Sequence, residues 1–257
     1  MNHEPTKPVL RWPGSKRRML PILLPLVPAD AHCYCEVFAG SAALLLAKPR
    51  HKVEIVNDLN REIVALLRNA HFHLPALLEE MNWMTAARAD FDDFKAQPGL
   101  TEIQRAARFL MRNRTSFGAG MKSFAVSKKT NCGLDRDAVG AALDGVRRRL
   151  TKVVVENLPY ERCLANYDSK KTVFFLDPPY VDAPTGAYEG FSQADMTLMR
   201  SRIDRLQGRW ILTVNDSKAN RALFSDCNVR AVATPNRLRN ARTTETTTFG
   251  ELVITPH

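Results

Sequence analysis

At 257 residues, 45% of them apolar, the chain can form one large domain, or one domain carrying an insertion, with an ample core. A formal net charge of +10 and a pI near 9.6 favour a polyanionic partner or an anionic membrane surface over a small acidic protein ligand. No apolar run approaches the eighteen or so residues of a membrane span, and the opening M-N-H-E-P-T-K-P lacks the apolar core of a secretory signal.

Cys33, Cys35, Cys132, Cys163 and Cys227 form no C-x-x-C pair, so reduced thiols of a cytoplasmic protein are the expectation. His71 and His73 have no matching ligand pair, and no metal site is expected.

In chain order, V-L-R-W-P-G-S-K (Val9 to Lys16) turns tightly at Pro13, Gly14 and Ser15. It leads into a short helix from Lys16 to Leu26, which Ser15 can cap and which Pro21 and Pro25 shorten or kink. Trp12 and Lys16, at the two ends of this turn, can offer a ligand an aromatic face and a cation. Taken alone, a core Trp and a solvated Lys account for them as well.

Y-C-E-V-F-A-G-S-A-A-L-L-L-A (Tyr34 to Ala47) has the order strand, glycine turn, helix. Gly40 permits a sharp turn and a close backbone approach to a ligand, while Ser41 and the next amides open a helix amino terminus. V-E-I-V-N-D-L-N (Val53 to Asn60) is a second strand, ending in Asp58. That acid lies about 20 residues past the glycine turn, the offset of a ribose-binding carboxylate. No G-K-[ST] lysine follows Gly40, so the pattern fits an adenosine without a polyphosphate, and Glu36 and Asp58 would tolerate a cationic one.

Asn60 to Asn69 is a helix with Ile63, Val64, Leu66 and Leu67 as its apolar face. From about Ala70 to Lys152 the strand pattern stops, and amphipathic stretches (Leu74 to Met84, Thr101 to Arg112) alternate with loops. This middle segment is a candidate inserted domain. Residues 100–152 carry twelve Lys and Arg against four acids, +8 of the chain's +10. The run N-R-T-S-F-G-A-G-M-K-S-F-A-V-S-K-K-T-N-C-G (Asn113 to Gly133) reads as a flexible hairpin or loop in which bases and aromatics interleave, as a nucleic-acid groove demands. Arg112, Asn113, Arg114, Lys122, Lys128 and Lys129 are its candidate nucleic-acid contacts, whereas Arg147 to Arg149 read as solvated surface.

Val153 to Glu156 restarts the strand pattern. The segment T-V-F-F-L-D-P-P-Y (Thr172 to Tyr180) then joins a strand buried on both faces to a stiff acidic loop. At the carboxyl end of a strand in an open α/β sheet, such a loop borders the ligand crevice. The Asp177 carboxylate and the Pro178 carbonyl are both acceptors and can take the two hydrogens of one exocyclic amino group, with Tyr180 as a stacking surface. Pro179 stiffens the loop between them. Ser192 to Leu206 is an amphipathic helix, Trp210 to Asn215 a buried strand, and N-D-S caps a helix from Lys218 to Phe224. Asn228 to Ala233 and Thr246 to Ile254 supply two last strands, with a basic loop, P-N-R-L-R-N-A-R-T-T-E, between them.

Taken together, R-W-P-G-S-K, E-V-F-A-G-S, N-D-L-N and D-P-P-Y, in this order over nearly the whole chain, resemble the motifs of the Dam-like DNA adenine methyltransferases. The resemblance implies an α/β fold: a Rossmann-like S-adenosylmethionine-dependent methyltransferase sheet of seven mostly parallel strands with a reversed last strand, carrying an inserted, mainly helical target-recognition domain. Residues 1–69 and 153–257 would form the catalytic domain and residues 70–152 the insertion.

It implies S-adenosylmethionine as cofactor, held through Trp12, Lys16, Glu36, Phe38, Gly40, Ser41, Asp58 and Asp177, with Asp177, Pro178, Pro179 and Tyr180 as the catalytic loop. The implied partner is double-stranded DNA, with a cognate restriction endonuclease as a further candidate, in a bacterial or phage-encoded protein. Ala42 stands where many members have a second glycine, and Thr115 falls where relatives place an aromatic wedge. The expected reaction is methyl transfer to the amino nitrogen of an adenine rotated out of the duplex. The rivals are a methyltransferase of the same fold acting on RNA or another amine, and a catalytically silent DNA-binding protein.

Overall fold

Five consecutive apolar or β-branched residues can bury both faces only in a sheet covered by helices on both sides. The computed structural model, which describes residues 5–117, 120–125, 134–181, 191–235 and 248–257, has this architecture. Its strands are β1 (Cys33–Glu36), β2 (Val53–Asn57), β3 (Val153–Glu156), β4 (Thr172–Leu176), β5 (Arg209–Asn215), β6 (Asn228–Pro235) and β7 (Thr248–Thr255). They form one seven-stranded sheet in the order β3-β2-β1-β4-β5-β7-β6. β7 alone runs against its neighbours, pairing antiparallel with both β5 and β6. The reversed last strand is therefore present, inserted between β5 and β6.

Alternate residues along each strand feed two cores. Tyr34, Val173, Phe175 and Ile211 point to one face; Cys33, Cys35, Phe174, Leu176 and Leu212 point to the other. The first face is covered by α1 (Leu20–Leu23), α2 (Ala43–Ala47), α3 (Arg61–Phe72), α4 (Leu74–Asn82), α6 (Glu102–Thr115) and α7 (Arg136–Leu150), with α5 (Arg88–Ala96) packed against α6. The second face is covered by α8 (Tyr160–Tyr167), α9 (Gln193–Ile203) and Phe224, just past α10 (Lys218–Leu223). The helices of the middle segment share one continuous core with α3 and the sheet.

Local chemistry fixes the ends of these elements. Thr101 with Gln104 and Ser192 with Asp195 form reciprocal capping boxes on α6 and α9. Pro21 and Pro25 break the entry helix as their missing N–H groups require, leaving α1 flanked by two 3-10 turns. Ser15 does not cap it; its Oγ lies 2.8 Å from Ser41 Oγ instead.

α7 was not legible as a helix, and its Arg149 is not solvated. The side chain is fully buried, and its guanidinium makes a two-pronged bond to Glu54, at 2.6 and 2.8 Å, joined by the buried Lys48 ammonium. Burial alone would raise the Glu54 pKa, but Arg149 and Lys48 overcome it and hold the carboxylate down at about 2. This ion cluster ties α7 to β2 across ninety-five residues of sequence.

Candidate active site

The sheet order reverses direction between β1 and β4, the first and fourth strands in sequence but nearest neighbours in space. In an open α/β sheet the crevice beyond the carboxyl ends at such a switch point is where a ligand binds. The glycine turn follows β1 and the D-P-P-Y loop follows β4. Because Glu36 lies beside Phe175 in register, the two loops begin side by side.

The third contributor is the 9–16 segment, which reaches the crevice from outside the sheet. Asn113 fixes it in place: its side-chain carbonyl accepts from Arg11 N at 2.9 Å and its amide donates to Arg11 O at 2.7 Å. Trp12 then covers Gly40 so closely that a β-carbon there would stand 2.9 Å from the indole. Gly40 also has φ +48°, so both space and backbone demand glycine. Ala42 adopts φ +52° at the start of α2, a left-handed conformation that costs an L residue about 1 kcal/mol or more. A second glycine at this position would relieve that strain.

Lys16 is the hub. Its buried ammonium lies 2.8 Å from Asp177 Oδ1 and 3.6 Å from Glu251 Oε2, and donates to Tyr180 Oη at 3.0 Å and to Gly14 O at 2.8 Å. Burial opposes the charge, but Asp177, Tyr180 and Glu251 outweigh it and raise the Lys16 pKa, so the ammonium stays protonated. Burial lifts the Asp177 carboxyl above its usual range, against the pull of Lys16 and Thr213. Thr213 Oγ1, on β5, donates to the same Oδ1 at 2.8 Å. Both anchors therefore grip one carboxylate oxygen, and no hydrogen bond from another described residue reaches Oδ2. Tyr180 is half-buried, with Lys16 5.1 Å from its ring centroid.

The structure brings Trp12, Lys16, Gly40, Ser41, Asp58, Asp177 and Tyr180 into one contact network, with Pro178 and Pro179 carried on the same loop. Asp58 is buried and spent on the turn itself, accepting from Gly40 N through Oδ2 and from Asn60 N through Oδ1, each at 2.8 Å. Glu36 lies beneath the crevice, its Oε2 accepting from Tyr34 Oη and Leu45 N. Burial pushes its pKa up to about 7. Phe38 packs its ring 5.7 Å from that of Tyr160 at the start of α8.

Thr213 and Glu251 escaped the sequence reading because they sit inside apolar strand runs. A polar residue interrupting W-I-L-T-V-N and F-G-E-L-V-I was the available signal.

The basic contacts expected in the insertion divide differently. Asn113 is buried on Arg11, as above. Arg112 donates to Met121 O at 3.2 Å and stacks over Phe91. Arg114 is half-buried beside Arg11, whose side chain donates to the Arg114 carbonyl at 3.4 Å. Lys122 is exposed, while Lys128 and Lys129, like most of the 235–245 loop, lie outside the described residues.

Thr115, expected at the place of an aromatic wedge, is fully buried and donates to Met111 O inside α6. After it the chain doubles back: Ala125 N donates to Thr115 O, Phe117 N donates to Ser123 O, and Ser116 pairs with Phe124. The aromatic that this turn exposes is Phe117, 65% accessible.

The crevice is thus floored by a glycine turn and walled by an anchored acid-diproline-tyrosine loop. The chain belongs to the D12 class N6 adenine-specific DNA methyltransferase family, whose model matches residues 12–237. It is an adenine-specific DNA methyltransferase, with a methyltransferase's dependence on S-adenosylmethionine. Among curated relatives, the type II methyltransferase M1.LlaDCHI of Lactococcus lactis subsp. cremoris is 22% identical over 97% of this chain and 95% of its own length. The type II methyltransferase M.CviBI of Paramecium bursaria Chlorella virus NC1A is 23% identical over 68% and 69%.

Two solved structures overlay along most of the chain at low similarity. A precorrin 8W decarboxylase of Methanobacterium thermoautotrophicum has TM-score 0.41 and 12% identity, covering 98% of this chain and 96% of its own. An rRNA methylase of Streptococcus thermophilus has TM-score 0.35 and 10% identity, covering 95% and 98%. Among the described residues no group of three or more potential ligands is placed to hold a metal ion, and no helix is long and apolar enough to cross a membrane.

Proposed function

We propose that the crevice between β1 and β4 receives a single adenine rotated out of duplex DNA, and that the D-P-P-Y loop holds its amino group. The observation that carries this reading is the one-sided anchoring of Asp177: Lys16 and Thr213 both take Oδ1, leaving Oδ2 to accept an amino hydrogen. The Pro178 carbonyl takes the other, and Tyr180 supplies the stacking face. Two acceptors on one NH2 draw the nitrogen toward tetrahedral geometry and localise a lone pair that the ring otherwise delocalises. They also stabilise positive charge as it develops there. Pro178 and Pro179 keep the acceptors at fixed spacing, so little ordering remains when the base arrives.

The donor set fits S-adenosylmethionine: Asp177 and Glu251 against the lone ammonium of Lys16 favour a cationic guest, and the Trp12-covered Gly40 turn lets backbone approach it. Bound there, the cofactor supplies an electrophilic methyl on a sulfonium. Lys16 orders the wall beside it by holding Asp177 and Tyr180, Ser41 and Phe38 lie at the same strand end, and Asp58 shapes the turn that receives it. Residues 70–152 act as the target-recognition insertion; Phe117, not Thr115, fills the gap that the rotated base leaves, and Lys122, Lys128 and Lys129 meet phosphate. The type II designation of the relatives favours a cognate restriction endonuclease as partner, and the Lactococcus relative favours work in a bacterial cytoplasm.

The test is to incubate unmodified genomic DNA with protein and S-adenosylmethionine and to map modified bases by long-read sequencing. N6-methyladenine confined to one short sequence context is expected. Methylation of RNA but not DNA, or none at all, would overturn the reading.

A further inference from the structure

The ends of the strands opposite the catalytic crevice carry a feature that methyl transfer does not use. The segments entering β2, β1, β4 and β5 line a cleft of about 520 Å³, and among its ten lining residues are Arg50, Lys52, Lys170, Lys171 and Arg209, together with His32 and His51. Asp30 is the one acid in the lining, and it is engaged by Arg209 at 2.9 Å.

The sheet sets these bases in a row. Val53, Cys33 and Thr172 are neighbours in register, so the residues just before them, Lys52, His32 and Lys171, stand side by side, with Arg209 beside Val173 on the next strand. Pairing continues outward to hold them: Val53 N donates to His32 O, and His32 N donates to Lys171 O at 2.9 Å. Arg50 is fixed by bonds to the Thr151 and Arg148 carbonyls. Lys52, Lys170 and Lys171 are exposed and make no ion pair among the described residues.

Adjacent strands lie about 4.8 Å apart, so the row from β2 to β5 spans roughly 14 Å. Duplex DNA presents a phosphate every ~3.4 Å of axis on each strand, so this length faces about four phosphates.

We propose that this basic edge is a second DNA-binding surface, which holds the phosphate backbone of a duplex segment remote from the target site. Lys171 and Asp177 lie at opposite ends of β4, about 20 Å apart by strand rise, so one short duplex cannot occupy both faces. The edge keeps the enzyme on long DNA while the crevice samples sites, and it reads charge, not sequence. The inference rests on the substrate being DNA, which the short-duplex arm below checks separately.

The test compares the wild type with the triple variant Lys52→Gln/Lys170→Gln/Lys171→Gln on a short duplex bearing the site and on a duplex of several hundred base pairs. Because each phosphate contact contributes about 0.9 to the slope of log K against log salt, the variant's slope on long DNA is expected to fall by about 2 to 3. Its slope and its methyl transfer on the short duplex should stay unchanged, and the corresponding Lys→Arg variant should restore the long-DNA slope. An unchanged slope on long DNA overturns the proposal, as does loss of methyl transfer on the short duplex. If sodium tripolyphosphate raises the melting temperature of the wild type alone while long-DNA binding is unaltered, the cleft serves a small polyphosphate and the DNA assignment is overturned.

Discussion

At the carboxyl ends of β1 and β4, Lys16, Asp177, Tyr180, Thr213 and Glu251 converge on one another, whereas along α6 and α7 five of the cations diverge, each into a different partner within the fold. Arg105 pairs with Glu62, Arg108 donates to Gln97 O, Arg112 to Met121 O, Arg136 to Met84 O, and Arg149 to Glu54. The first region concentrates charge in one crevice, at the proposed site of methyl transfer. The second spends most of its charge on joining helices to one another and to β2. A +8 segment is therefore not a +8 DNA-binding face: among its described cations, Lys122, Arg136, Arg147, Arg148 and Lys152 are the exposed ones.

The contrast breaks most sharply at Arg149. Arg149→Ala removes the two-pronged partner of the buried Glu54 carboxylate and leaves it on Lys48 alone, and a loss of about 3 to 5 kcal/mol is expected in chemical denaturation. Arg147→Ala, which removes an exposed pair with Asp144, should cost about 0.5 kcal/mol or less. Equal losses would show that α7's charges are interchangeable surface.

Beneath the crevice, Glu36 sharpens the same comparison through pH. Its folded pKa is raised from 4.5 to about 7 by burial, with Tyr34, Leu45 and Lys48 pulling the other way and Asp177 adding to the rise. A carboxyl whose folded pKa is raised contributes stability that is fully present below pH 4.5 and is lost as pH climbs through about 7. Glu36→Gln removes this dependence, so its stability relative to the wild type should gain on the order of 3 kcal/mol between pH 4.5 and 7 and then level off. Parallel melting curves for the two proteins across that range would contradict the assignment.

A smaller effect is expected at the turn. Ala42→Gly should stabilise by about 1 kcal/mol, because relief of the left-handed alanine exceeds the added chain entropy. No gain in melting temperature would mean that the strain is absent.

These differences explain which parts of the molecule were legible in its sequence. Buried strands announce themselves through unbroken apolar runs, and sheet topology sends whatever follows them to one edge, so D-P-P-Y and the Gly40 turn could be placed together before any coordinates. Gly40 and Asp58 were found by spacing, although Asp58 holds the turn with both oxygens. Thr213 and Glu251 were hidden as polar interruptions of core strands. Asn113, Arg149 and Thr115 were misplaced because the partner of a helical side chain is fixed by packing across the fold; a helix of fourteen residues offers faces to solvent and core alike. The exposed Phe117, proposed to fill the gap, stands two residues from the position assigned to the wedge.

Asp177, anchored through Oδ1, is proposed to offer Oδ2 to the amino group of the target base. The most direct measurement is single-turnover methyl transfer by Asp177→Ala on duplex DNA, with DNA affinity measured in parallel. A fall in the methyl-transfer rate of about 10³-fold with DNA affinity nearly unchanged is expected. A variant that methylates at close to the normal rate would contradict the account.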